Sequence, residues 1–140
     1  MGLKNKIVEY LVERITRAYK KGEKFRVIVV VPLLPGYDGD ITDPDSATVR
    51  IHAYYNYNAI CRGGNSLLEQ LSFIPNLRDY IEFYSLRQSE LVNGVPATEI
   101  LYIHSKLMIV DDKRCIIGSA NIYDRSMLGD RDSELICVIE

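Results

Sequence analysis

One continuous stretch, residues 99–119, limits the possible folds of this chain more than any other. It reads EILYIHSKLMIVDDKRCIIGS, an apolar strand, a tight turn at 112–114 and a second apolar strand, which predicts an antiparallel hairpin. The first strand nevertheless carries His104 and Lys106. Burying a lysine without a partner is costly or forces the side chain to neutralise. Either that face of the strand is exposed, or it lines a site that favours positive charge.

The remaining pattern alternates helices with apolar strands. Such an alternation predicts an α/β layered sandwich, here with a mixed, largely parallel sheet flanked by helices. The run FRVIVVV is typical of a strand covered on both faces of a sheet. We expect helices at 5–21, 46–61 and 66–71, strands at 25–31, 80–87, 99–110, 115–119 and 133–140, and loops at 36–44 and 88–99.

Composition restricts the class of protein and its partners. The 140 residues suit one domain, and 47% apolar with 26% charged residues is ordinary for a soluble globular protein. A net charge of −2 gives no overall field for nucleic acid, so we expect no nucleic-acid partner. The longest apolar runs are too short to cross a bilayer, and MGLKNKIVEY lacks a secretory leader. Three scattered cysteines favour reduced thiols and a cytoplasmic protein.

The hairpin predicts a phosphate site at one end. Strand alternation places His104 and Lys106 on the same face. Ser119 and Asn121 then lie near the adjacent end of the second strand, and Gly118 permits a close backbone approach there. The set offers hydrogen-bond donors for phosphate oxygens and an imidazole that can transfer a proton or attack phosphorus.

These residues carry a family resemblance. The spacing H-x-K-x4-D-x6-G-S-x-N, from His104 to Asn121, resembles the HKD signature of the phospholipase D superfamily without a gap. The flanks KFRVIVVVPLLPG, NYNAICRGGNSLLEQL and GSANIYDRSMLGDRDSE are similar to the C-terminal catalytic half of eukaryotic phosphatidylcholine-hydrolysing phospholipases D. The resemblance covers about Asn5 to Glu140. It implies that residues 1–140 are one domain with a phospholipase D/nuclease-like fold, one half of a pseudo-twofold catalytic core.

The resemblance also implies a reaction. Phosphatidylcholine would be hydrolysed to phosphatidic acid and choline at a membrane surface, through a phosphohistidine and without metal or cofactor. His104, from the C-terminal motif, would act as general acid and then as base, while the other motif supplies the nucleophile. Lys106 and Asn121 would hold the non-bridging phosphate oxygens and stabilise charge in the transition state.

Three further residues receive roles from the same resemblance. Ser119 would assist as a hydrogen-bond donor to the phosphate, and Asp111 would tie the hairpin without touching substrate. Glu134 matches the acidic residue that orients a histidine in this family, and whether it serves His104 or the histidine of the partner motif stays open.

Only one HKD motif is present, so the chain holds half an active site. His52 has neither a lysine two residues later nor a Gly-Ser-x-Asn. A second half is therefore needed, either from the same longer polypeptide or from a twofold mate. Because the chain stops inside an apparent strand, we expect a fragment that is peripheral on membranes when assembled. The alternatives are a non-catalytic truncated module that binds lipid or a full-length partner, and a homodimeric HKD nuclease or phosphatidyltransferase.

Overall fold

The amphipathic segment near the start of the chain forms helix α1, Ile7–Lys21, in the computed structural model, which describes residues 4–140. The side chain of Asn5 accepts a hydrogen bond from the N–H of Ile7 at 3.2 Å, at the helix N-terminus. Gly22, with φ of +65°, ends the helix. The N–H of Glu23 then reaches the carbonyl of Ala18 at 2.9 Å, as in a Schellman cap. The predicted first helix is confirmed.

The described residues divide into two units. We call residues 12–103 the core unit, and residues 4–11 with 104–140 the motif unit. After α1 the elements are β1 Val27–Val30, α2 Ala47–Tyr57 with a π-helical turn Asn58–Arg62, α3 Leu67–Gln70, a 3-10 turn Leu77–Asp79, β2 Ile81–Tyr84, β3 Leu86–Val92, β4 Val95–Leu101, β5 Lys106–Val110, β6 Arg114–Gly118, α4 Asp124–Met127 and β7 Ile136–Ile139.

The core unit contains a buried apolar cluster. Ser66 begins α3 with a capping box, because Glu69 accepts hydrogen bonds from both the hydroxyl and the backbone N–H of Ser66. β1 pairs with β2 in parallel, with Val27 opposite Ile81. The prediction that this run is covered on both faces is wrong for this chain, since Ile28 and Val30 lie exposed.

The segment 88–99 is not the predicted loop. It forms most of an antiparallel hairpin in which β3 pairs with β4 and Val92 lies opposite Val95. Asn93 and Gly94 make the two-residue turn, with φ values of 53° and 79°. Asn-Gly is the sequence most suited to this type of turn, because both central residues need positive φ.

The motif unit contains a three-stranded antiparallel sheet in the order β5-β6-β7. The predicted hairpin is confirmed, with its turn at 111–113, and β7 confirms the predicted last strand. The predicted strand 99–110 is wrong as one element. β4 ends at Leu101, residues 102–105 are irregular, and β5 begins at Lys106.

The α/β class is confirmed, but the largely parallel sheet is not. Among residues 4–140, only β1 and β2 pair in parallel, and the other three strand pairs are antiparallel. Short turns explain two of these pairs, because a connection of two or three residues joins only antiparallel strands. The layered sandwich and the single domain stay predictions. No helix within residues 4–140 is long and apolar enough to span a membrane.

Candidate active site

The register of β5 and β6 brings the two ends of the sequence motif together. Lys106 lies directly opposite Gly118, so His104 precedes and Ser119 and Asn121 follow the same end of the hairpin. His104 lies outside the strand, in the irregular segment 102–105. The prediction that His104 and Lys106 share a strand face is therefore wrong. Pairing stops at Lys106 because its partner Gly118 is the last residue of β6.

Lys106 is tied to the backbone of the segment that carries the histidine. Its Nζ donates a hydrogen bond to the carbonyl oxygen of His104 at 2.5 Å. Lys106 is half-buried, whereas His104 is exposed to solvent. The contact holds the ammonium group beside the histidine's own main chain. His104, two positions before β5, is thereby linked to a sheet of which it is not a part.

Gly118 is required by the close approach of β7. A Cβ added at Gly118 would lie 2.2 Å from the carbonyl oxygen of Leu135 and 2.8 Å from the Cα of Ile136. This close contact continues at Ser119, whose N–H donates to the Leu135 carbonyl at 3.0 Å. The Leu135 N–H donates in return to the Ser119 hydroxyl oxygen at 3.0 Å. Glu134 is thereby held next to Ser119.

The carboxylate of Glu134 is bound by two serine hydroxyls. The Ser119 Oγ–H donates to its Oε2 at 2.5 Å, and the Ser126 Oγ–H donates to its Oε1. The bond from Ser119, followed by that from Ser126, lowers the pKa of Glu134 below its ordinary value. The carboxylate therefore stays ionised into acidic solution. Sequence reasoning missed Ser126, because no spacing in the motif points to a partner eight residues before Glu134.

Asn121 is also positioned by Ser126. The Asn121 N–H donates to the Ser126 hydroxyl oxygen at 3.2 Å, and Asn121 is exposed to solvent. Asp111 lies at the other end of β5, in the turn, with φ of 53°. The five residues of β5, a strand about 16 Å long, lie between Asp111 and the segment that holds His104. The role predicted for Asp111, tying the hairpin away from substrate, stays a prediction.

Asp124 attaches the start of the described chain to the segment after Asn121. Its Oδ2 accepts the N–H of Lys4 at 2.9 Å, and its Oδ1 accepts the N–H and side-chain amide of Asn5 at 3.0 and 2.7 Å. The backbone bond from Asn5, with that from Lys4 next, lowers the pKa of Asp124. Nearby, Asp132 pairs with Arg125 at 2.8 Å.

The other histidine occupies a different environment. His52 lies on the exposed side of α2, where its Nδ1 is 2.8 Å from the Thr48 carbonyl oxygen. Its Nε2 is 3.3 Å from the Tyr37 hydroxyl, and the two rings lie 4.6 Å apart. Neither contact joins it to a lysine or an amide side chain. These contacts are a local packing arrangement on α2.

The motif end of the hairpin presents groups suited to a tetrahedral anion. His104, Ser119 and Asn121 are exposed, while Lys106 and Glu134 are half-buried. An ammonium and an amide donate charge-assisted or neutral hydrogen bonds to phosphate oxygens, and an imidazole transfers protons. Among residues 4–140, no group of three or more His, Cys, Asp or Glu side chains is placed to hold a metal ion.

Comparison with known proteins gives consistent matches. A family model described as Phospholipase D matches residues 96–138. Phospholipase D zeta 2 of Arabidopsis thaliana is 48% identical over 140 residues, covering 97% of this chain and 13% of the relative. Phospholipase D of Phytophthora infestans is 49% identical, covering 99% and 8%. Phospholipase D1 of Homo sapiens is 45% identical over 138 residues, covering 97% and 13%. The chain thus spans 8% to 13% of the length of these three relatives.

Proposed function

This chain belongs to the phospholipase D superfamily, and from that premise we propose that it is one HKD half-site of a phosphatidylcholine-hydrolysing phospholipase D. The observation that carries the proposal is the pairing of Lys106 with Gly118. This register places the His104 end and the Asn121 end of the motif at the same end of one hairpin. A phosphate placed there meets a cation, an amide and an imidazole together.

The proposed reaction has two steps. In the first, a histidine of the second half attacks phosphorus, an N–P bond forms, and the bond from phosphorus to the choline oxygen breaks. His104 gives its proton to that oxygen, and choline leaves. In the second, His104 takes a proton from water, the water oxygen attacks phosphorus, and the N–P bond breaks. Phosphatidic acid leaves and the nucleophilic histidine is regenerated.

The remaining residues stabilise charge in the transition state or position other groups of the site. Lys106 and Asn121 donate to the non-bridging oxygens, where negative charge grows in the transition state. Ser119 already donates its one hydroxyl proton to Glu134. That contact supports a positioning role for Ser119, and its predicted direct bond to phosphate remains a proposal. Glu134 in turn fixes the orientation of a histidine, either His104 or the one in the second half.

Two observations support a second half. The chain spans a small fraction of each relative's length. The sheet of the motif unit also leaves apolar side chains exposed, among them Leu107, Ile109 and Val138. We propose that the second half completes a layered sandwich around a pseudo-twofold site, with a phospholipid as substrate. The assembled protein would be cytoplasmic and peripheral on a membrane surface.

The test measures choline release from phosphatidylcholine vesicles. We expect none from the 140-residue chain alone and release after mixing with a polypeptide that holds an N-terminal HKD half. His104→Ala should remove that release, whereas His52→Ala should preserve it. No release in either case, with a monomeric mass, would support a non-catalytic module instead. Release by the chain alone, with a dimeric mass, would support a homodimeric enzyme.

A further inference from the structure

Ser126 lies where two parts of the site meet. It belongs to the four-residue helix α4, between the motif and β7, and it is half-buried. Its hydroxyl oxygen accepts the N–H of Asn121 at 3.2 Å, and its hydroxyl hydrogen goes to Oε1 of Glu134. One hydroxyl therefore uses both its donor and an acceptor position on residues of the site.

The contacts form a chain of hydrogen bonds across the motif. The Asn121 N–H bonds to Ser126, Ser126 bonds to Glu134, and the other oxygen of Glu134 accepts from Ser119. The main chain at Ser119 is in turn paired with Leu135. Connected hydrogen bonds of this kind restrict one another more than isolated ones. The backbone at Asn121 and the carboxylate at Glu134 are thus fixed relative to each other through one side chain.

We propose that Ser126 is a positioning residue of this site, which places the main chain of Asn121 and the carboxylate of Glu134 together. The inference rests on the proposed function, because it concerns the same half-site. Ser126 itself touches no substrate. It acts by holding the main chain that carries the Asn121 side-chain amide, the proposed donor to phosphate, and the carboxylate that orients a histidine. Small displacements of such groups have large effects on rate, because catalysis depends on reacting groups being held in line.

Threonine and alanine separate this role from simple space filling. Ser126→Thr keeps a hydroxyl and adds a methyl group, whereas Ser126→Ala removes only the hydroxyl. If Ser126 merely filled space, alanine would be tolerated at least as well as threonine. If it positions the site, threonine preserves the arrangement and alanine loses it. Ser89→Ala is the matched control, since it removes a hydroxyl that bonds the Thr98 hydroxyl at 3.0 Å in the β3–β4 hairpin.

The first arm of the test needs no activity. In the 140-residue chain labelled with ¹³C at glutamate carboxylates, the titration of Glu134 is followed together with the Asn121 amide signal. The Ser119 and Ser126 bonds and the charge of Lys106 lower the Glu134 pKa, while Asp132 and partial burial raise it. Ser126→Ala should raise it toward its ordinary value and shift the Asn121 amide. Ser126→Thr and Ser89→Ala should change neither, and an unchanged Glu134 titration in Ser126→Ala would overturn the inference.

The second arm uses the chain joined to an N-terminal HKD half. We expect Ser126→Ala to lower kcat by about 10- to 100-fold with little change in KM. The acid side of the pH–rate profile should move to higher pH, because ionised Glu134 is then lost earlier on acidification. Ser126→Thr should keep most of the wild-type kcat. Equal loss of kcat in the alanine and threonine variants, with both folded, would contradict positioning by the hydroxyl.

The two arms keep the two proposals apart. An inactive wild-type assembly would count against the phospholipase D reaction, and the titration of Glu134 would still decide whether Ser126 links it to Asn121. An active assembly in which Ser126→Ala keeps its rate and its pH profile would leave the proposed reaction standing and remove Ser126 from it.

Discussion

The core unit and the motif unit are stabilised in different ways. Eight apolar side chains are buried among the described residues, and every one lies in the core unit: Ile15, Ala18, Val49, Ala53, Leu67, Leu71, Ile74 and Ile81. In the motif unit, strand residues that a sheet core would bury are open to solvent. Leu107 is 56% exposed, Ile109 60% and Val138 61%. The unit that holds the candidate site lacks an apolar core within residues 4–11 and 104–140.

Polar contacts and backbone pairing take the place of that core in the motif unit. Hydrogen-bond donors lower the pKa values of three of its carboxylates, Asp124, Asp132 and Glu134. The core unit also has three such carboxylates, Asp40, Glu69 and Glu82, but it has buried apolar side chains besides. Its sheet is apolar on both faces, since the opposed pairs Leu107–Ile117 and Met108–Ile116 lie on opposite sides. An apolar sheet face is usually buried against another layer of secondary structure. The difference teaches that hydrogen bonds and strand pairing arrange the site residues, while the apolar side chains of their sheet stay open to solvent.

The largest effect on activity should come from replacing Lys106 in the motif unit. Under the proposed function, Lys106→Met in the chain joined to an N-terminal HKD half should lower choline release by about 10²- to 10³-fold, because a proposed donor to the phosphate oxygens is lost. Lys113→Met is the control, since Lys113 lies in the turn at the other end of β5. Equal losses for the two variants would mean that the motif end of the hairpin is not the site.

The next largest difference between the two units should be the loss of stability when an apolar residue is truncated. Leu71 is fully buried in the core unit, so Leu71→Ala should lower the free energy of unfolding by about 2–5 kcal/mol. Ile109→Ala in the exposed sheet should cost less than about 1 kcal/mol in this chain. Urea denaturation followed by circular dichroism measures both. In an assembly with a second half, the cost at Ile109 should increase, and no increase would argue against cover on that face.

Replacing a glycine by alanine should destabilise the two units for different reasons. Gly118→Ala places a methyl group against the Leu135 carbonyl, and we expect a destabilisation of about 1–3 kcal/mol with displacement of β7. Gly94→Ala in the β3–β4 turn has open space around it, so only its positive φ matters, at about 1–2 kcal/mol. Thermal denaturation compares them. Of the two, only Gly118→Ala should also disturb the NMR signals of Ser119 and Glu134.

Acidification should produce the smallest difference between the core unit and the motif unit. Because the folded pKa values of Asp124, Asp132 and Glu134 lie below their ordinary values, their stabilisation is complete above the ordinary carboxylate range. It is lost as the pH falls through the lowered folded values. The core unit keeps its buried apolar side chains when its own carboxylates are protonated. Protection against amide hydrogen exchange should therefore be lost around Ser119 and Leu135 at a higher pH than around Leu71 and Ile74. Simultaneous loss of protection in both units would contradict the comparison.

Local sequence signals predicted much of this structure. The amphipathic pattern of α1, Ser66 at the start of α3 and the apolar strands on both sides of the turn at 111–113 are all present. The hairpin of β3 and β4 was missed because both strands are exposed along their whole length and the polar run Arg87 to Glu90 interrupts the apolar alternation in β3. Its Asn93-Gly94 turn was the available signal.

By itself, the sequence determined the helices, the motif hairpin and the family, because periodicity, turn residues and motif spacing act over a few positions. Only the tertiary structure decided that His104 lies before the strand, that β7 pairs with β6, and that Glu134 joins Ser119 to Ser126. These features depend on hydrogen bonds between residues far apart along the chain, such as the 15 positions from Ser119 to Glu134. Such partners are selected by how whole strands align, which no short window of residues contains.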